Sequence, residues 1–251
     1  LELAVTTNNL TDFDVKALAD TIGITAKAAT TNKDLTINNL GAGQSITVIN
    51  DSANTLELGN VVANLENPNG TADSMTANLV AKSDADQTLD LLTLDAGAES
   101  VTVNTDGASG VSMTAGNEIT LTSLIADGAT TLNFTGAGNL ITTLNQTGTS
   151  VAKTIDASTM TGTFGITEAV TNDVTIKGSA GTNTIAMAAT LNNKDTIIGG
   201  ASAKDTVSAT IGTATTATTG AFTISGVQTL ALTTTDGTTA TVDSTSISGV
   251  T

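Results

Sequence analysis

Along most of the 251-residue chain, apolar and polar side chains alternate in runs of four to six residues. A period of two places successive side chains on opposite faces of an extended backbone, so each run predicts a half-buried β-strand. The runs are Asp34–Ile37, Ser45–Asn50, Thr55–Leu58, Thr88–Leu94, Ser100–Asn104, Gly110–Thr114, Glu118–Thr122, Thr130–Phe134, Leu140–Leu144, Asp173–Ile176, Asn183–Ala186, Asp195–Ile198, Asp205–Ile211, Ala221–Ile224, Thr229–Leu232 and Ala240–Asp243. Turn signals such as Gly41-Ala42-Gly43, Asp106-Gly107, Asp127-Gly128, Gly136-Ala137-Gly138 and Asp236-Gly237 separate them. One stretch predicts a short helix: Asp12 in the capping position, Phe13, Leu18 and Ile22 on one face, and Gly23 as the stop. Residues 1–40 therefore read as an N-terminal cap or linker, and 41–251 as a continuous series of strands.

The runs also resemble one another. SVTVNTDG (100–107), TTLNFTGAG (130–138) and ITTLNQTG (141–148) share an apolar-Asn-x-Thr rhythm ending near Gly, with unequal spacing between copies. Short even strands with Gly-rich corners fit either a parallel β-solenoid or repeated β-sandwiches. Sandwiches commonly fill their cores with large aromatics, and this chain has four Phe, no Trp, no Tyr and one Pro. A solenoid stacks thin rungs of Val, Ile, Leu, Ala and Thr and aligns like side chains into ladders, which favours the parallel β-helix reading.

Composition narrows the chemistry. With no His and no Cys there is no imidazole base, no thiolate nucleophile, no ordinary zinc site and no disulfide. Eight Lys face 24 acidic residues, a formal charge of −16, which excludes nucleic acid as a partner. Hydrophobic content of 39% is enough to bury a core, and no run approaches a membrane span. The chain opens on Leu1 and reads as an excised part of a longer polypeptide. Carboxylate pairs such as Asp95/Glu99 and Asp12/Asp14 would be needed for glycoside hydrolysis, but the basic and aromatic side chains that hold a sugar are missing around them. KSDADQTLD (82–90) spaces Asp84, Asp86 and Asp90 like an acidic calcium loop, without the Gly and terminal Glu of that motif.

The most specific signal lies at residues 172–211. GSAGTNTIA (178–186) fits the nonapeptide G-G-x-G-x-D-x-U-x with Ser179 in place of the second Gly and Asn183 in place of Asp. Asp195-Thr196-Ile197-Ile198-Gly199-Gly200 fits the end of one such repeat and the start of another, and Lys204 is inserted before Asp205-Thr206-Val207. These residues resemble the repeats-in-toxin calcium-binding β-roll, in the degenerate form found in bacterial surface-layer proteins. ISGVQTLALTTTDGTTATVDSTSISGV (224–250) is similar to the Thr-rich rungs of that group, and NVVANLE (60–66) is a weaker echo. The resemblance implies a secreted, cell-surface structural protein rather than an enzyme, self-assembling into a lattice. It implies Ca²⁺ as the bound ion and attachment to lipopolysaccharide through another region of the full-length protein. For the calcium ligands it points to Asp195, Asp205, Asn183, Gly199 and Gly200. The same residues also read as a plain corner, with positive φ at Gly199-Gly200 and with Asp195 and Asp205 bonding backbone amides. The stalk of a secreted adhesin or biofilm-matrix protein is the alternative function.

Overall fold

The computed structural model describes residues 2–4, 10–16, 21–26, 33–50, 56–81, 86–106, 117–147, 152–168, 172–202, 204–211, 222–234, 245, 247–248 and 250. In chain order the first strands are β1 Glu2–Ala4, β2 Leu10–Asp14, β3 Thr21–Ala26, β4 Leu35–Leu40, β5 Ser45–Asn50, β6 Leu56–Leu65 and β7 Ser74–Ala81. There follow β8 Gln87–Leu94, β9 Ser100–Asn104, β10 Glu118–Ile125, β11 Thr131–Gly136, β12 Asn139–Leu144, β13 Thr154–Met160 and β14 Phe164–Glu168. The last are β15 Thr175–Lys177, β16 Asn183–Ala186, β17 Thr196–Ile198, β18 Thr206–Ile211, β19 Thr223–Ser225, β20 Thr229–Thr234 and β21 Ile247–Ser248.

Every odd-numbered strand joins one 11-stranded sheet in sequence order, and every even-numbered strand joins a second, 10-stranded sheet. Neighbouring strands are parallel in both sheets. The chain thus alternates between two sheets, advancing one rung per circuit, and the fold is a parallel β-solenoid. Register partners are 19 residues apart in the shortest circuit, as Phe164 and Asn183 are, and 32 apart in the longest, as Gln87 and Ile119 are. This unequal spacing explains why the sequence copies look alike without forming a strict repeat.

Parallel stacking places like on like. One interior column of the odd sheet runs Met75, Val101, Leu132, Ile155, Ile176, Ile197, Ile224 and Ile247. The outward column one residue earlier runs Ser74, Ser100, Thr131, Thr154, Thr175, Thr196 and Thr223. Inward faces of the two sheets meet in a single apolar core. Its bulkiest members are Phe134, Phe164 and Phe222, and the first two rings lie 5.0 Å apart at 45°. Polar residues that enter the rungs also pair along the stack. Asn78 Nδ2 donates to Thr47 Oγ1 (3.1 Å), and Asn104 Nδ2 donates to Asn78 Oδ1 (3.0 Å).

The helix expected at Asp12–Ile22 is not formed: Leu10–Asp14 and Thr21–Ala26 are strands of the two sheets. Phe13 pairs with Ile37 in register, and the β-branched set Thr21, Ile22, Ile24 and Thr25 pairs with Ser45, Ile46, Val48 and Ile49. Sheet pairing outweighs the local capping signal. The runs expected at Gly110–Thr114 and Ala240–Asp243 lie outside the described residues.

Candidate calcium-binding turns

Asp195 and Asp205 open two different rungs of the coil. Asp195 lies immediately before β17 and Asp205 immediately before β18, strands of opposite sheets. Each carboxylate is only 1% exposed, so its oxygens need partners inside the protein. The expected ligand set is therefore divided between two corners of the solenoid.

At the first corner, Asp195 Oδ1 accepts the backbone N–H of Val174 from the preceding coil (2.9 Å) and the Asn192 side-chain amide (3.2 Å). Its Oδ2 accepts the backbone N–H of Asn192 (2.7 Å). Burial pushes the Asp195 carboxyl above its ordinary range and the nearby Asp173 charge adds to this, while the N–H groups of Val174 and Asn192 pull it back.

At the second corner, Asp205 Oδ1 accepts both the backbone N–H (2.8 Å) and the side-chain amide (2.9 Å) of Asn183, one coil earlier. Asp205 Oδ2 accepts the N–H of Gly200 (3.0 Å). Asn183, itself fully buried, takes Ser179 N–H on its Oδ1 (2.7 Å) and gives its Nδ2 hydrogens towards Ser179 O (3.1 Å) and Gly181 O (2.9 Å) as well as Asp205. Three oxygens thus converge on the Asn183 nitrogen, where a calcium turn would converge them on an ion. The next coil continues the line: Asp205 N–H donates to Gln228 Oε1 (2.7 Å).

All four oxygens of Asp195 and Asp205 are engaged by N–H groups. Among the described residues no three acidic side chains gather as a metal-holding group. The five residues act in the structure as two hydrogen-bonded corners, and the donor set around each does not fit a calcium cage without giving up bonds to buried backbone N–H groups.

Gly199 and Gly200 correct one part of the corner reading. Neither has positive φ; among the described glycines that conformation belongs to Gly43, Gly136 and Gly226. A Cβ on Gly200 would instead overlap the carbonyl oxygen of Ser179, and one on Gly199 that of Gly226. The glycines are needed because adjacent coils approach too closely there for any side chain.

Tying a corner carboxylate to the next coil is general. Asp95 accepts Leu65 N–H (2.9 Å) and Gly97 N–H (2.8 Å), and Glu99 accepts Asp73 N–H (2.7 Å). The sequence had paired these two as possible hydrolytic carboxylates, and the structure employs them as ties. Asp86 accepts Glu118 N–H (2.8 Å), Asp106 accepts Ala137 N–H (2.7 Å) and Asp127 accepts Thr147 N–H (2.7 Å). Asp84 lies outside the described residues, and Asp90 is exposed on β8. Gln228 was not singled out from the sequence, because its partner Asp205 is set by coil-to-coil register; Asn192, which bonds Asp195 three residues on in the same turn, was also passed over. Glu168 is the other unforeseen group: a fully buried carboxylate in the column Leu92, Leu124, Leu144, held by Thr190 Oγ1 at 2.8 Å.

No protein-family model, no curated protein and no solved structure matches this chain.

Proposed function

We propose that this chain is a structural segment of a bacterial surface layer, an acidic solenoid that associates laterally with its own copies into a coat, with calcium assisting. The observation that carries the reading is how the polar side chains are used: buried carboxylates and amides hold one coil to the next rather than converging on a substrate-sized site. What results is a stack of hydrogen-bonded rungs whose output is shape. The sequence resemblance of residues 172–250 to surface-layer β-rolls supports the same class.

Calcium in this reading acts between copies. A net charge of −16 makes copies repel, and a divalent cation bridging exposed carboxylates such as Asp90 on facing molecules relieves that repulsion. The coat is secreted and anchored to lipopolysaccharide through another region of the parent protein. Negative-stain microscopy of the parent protein in millimolar calcium tests the proposal. Two-dimensional sheets are the expected result; isolated fibres would transfer the chain to the adhesin or matrix-stalk class.

A further inference from the structure

Strands β12, β14, β16, β18 and β20 present an outer face without a charged side chain. The one carboxylate within them, Glu168, points inward and is fully buried. The opposite sheet of the same coils carries Asp156 and Lys177 on its outer surface. In a chain of charge −16, this is where another copy can approach without meeting like charge.

The face also has relief. Ile141, on β12, is 45% exposed, more than any other large apolar side chain among the described residues. Its register neighbour on β14 is Gly165, the floor of a shallow notch of about 240 Å³ bordered by Ile141, Thr167 and Thr184. A Cβ at Gly165 would lie 3.3 Å from Ile141 Cγ1, so the missing side chain is what leaves the notch open. Knob and notch therefore sit side by side, about 4.8 Å apart, on adjacent strands.

That arrangement is self-complementary. A two-fold axis lying in the contact plane, parallel to the strands and midway between β12 and β14, sets Ile141 of each copy over the Gly165 notch of the other. The same rotation lays β8 and β10, which carry Asp90 and Glu118, over the uncharged strands β18 and β16, so acid never faces acid. We propose that this face docks a second copy of the chain. The inference rests on the coat reading above and names its contact. Eight overlapping strands, β6 to β20, make a patch on the order of 38 Å by 15 Å, still short of the ~800 Å² per partner of a standard stable interface. A single contact is therefore weak and gains strength by repetition in a lattice.

Sedimentation of the chain in calcium, up to about millimolar protein, tests the face. Ile141→Glu and Thr184→Glu place a charge in the seam of both copies and are expected to weaken self-association at least about tenfold. Thr175→Glu adds the same charge to the other sheet and is expected to change it less than about twofold. Both seam positions are partly or largely exposed, and circular dichroism verifies that each variant keeps its β-structure. If wild type associates and the seam variants associate equally well, this face is wrong while the coat reading stands. If wild type remains monomeric throughout, the coat reading and the face fall together.

Discussion

At the scale of single residues, the acidic side chains are fasteners. Asp205→Ala would strip acceptors from the Asn183 and Gly200 N–H groups in a buried corner, and a loss of about 3 kcal/mol in denaturant-derived stability is expected. Asp106→Ala, an exposed tie, is expected to cost less than about 1 kcal/mol in the same measurement. Two carboxylates titrate with opposite consequences. Asp195 has its carboxyl raised by burial, so the folded chain holds that proton more tightly than the unfolded one. Its contribution is most favourable below the ordinary carboxylate range and declines as pH rises through the raised value. Asp156 is opposed by desolvation, but the Lys177 ammonium at 2.7 Å and the Ser158 hydrogen bonds outweigh it and lower its carboxyl. Its contribution, about 0.5 kcal/mol for a partly exposed pair, is present above the ordinary carboxylate range and is lost on acidification through the lowered value. Thermal midpoints across the acidic range check both: the wild-type advantage over Asp195→Asn should shrink as pH rises, and that over Asp156→Asn should shrink as pH falls. The sequence singled out Gly199, Gly200, Asp195 and Asp205 as an unusual stretch, readable as calcium ligands or as a plain corner. It could not supply the reason, because the groups they meet belong to coils about 20 residues away along a path of variable length.

Elements were legible where one face is buried and the other is wet. Ser100–Asn104 and Asn183–Ala186 emerge with the boundaries that alternation predicts, and so does Ser45–Asn50, although Ile46 through Asn50 are all buried. Ser74–Ala81 was missed because its first apolar positions are Met75 and Ala77, which carry little strand preference, and the apolar run Leu79-Val80-Ala81 ends the alternation. Thr154–Met160 was missed because Ser158 and Thr159 both face outward at a register shift and interrupt the alternation, and Phe164–Glu168 because Gly165 and an inward-facing Glu168 weaken it. Interior columns set the energetics of each rung. Thr142 interrupts the column Leu89, Leu121, Ile166, Ile185, Val207 with a hydroxyl that is buried and has no partner. Thr142→Val keeps the branched shape and removes that orphan, so a gain of about 1 kcal/mol in chemical unfolding is expected. Ile197→Ala, at a fully buried position of the odd-sheet column, should cost between about 2 and 5 kcal/mol.

For the whole molecule, the two sheets stack eleven and ten strands deep, on the order of 50 Å at the usual strand spacing. The scarcity of aromatic residues and of Pro, with rungs rich in Thr and small aliphatic side chains, was enough to favour a parallel solenoid over a sandwich. The route through the rungs and the allocation of carboxylates to corners needed coordinates. In the proposed coat the outer faces of this stack meet other copies, and the charge of −16 is what would make that association depend on cations. Light scattering of the parent protein during a calcium titration tests this most directly. Scattering should climb in millimolar calcium and return to baseline when a chelator is added; an unchanged, monomer-level signal across the whole titration would contradict calcium-assisted self-assembly.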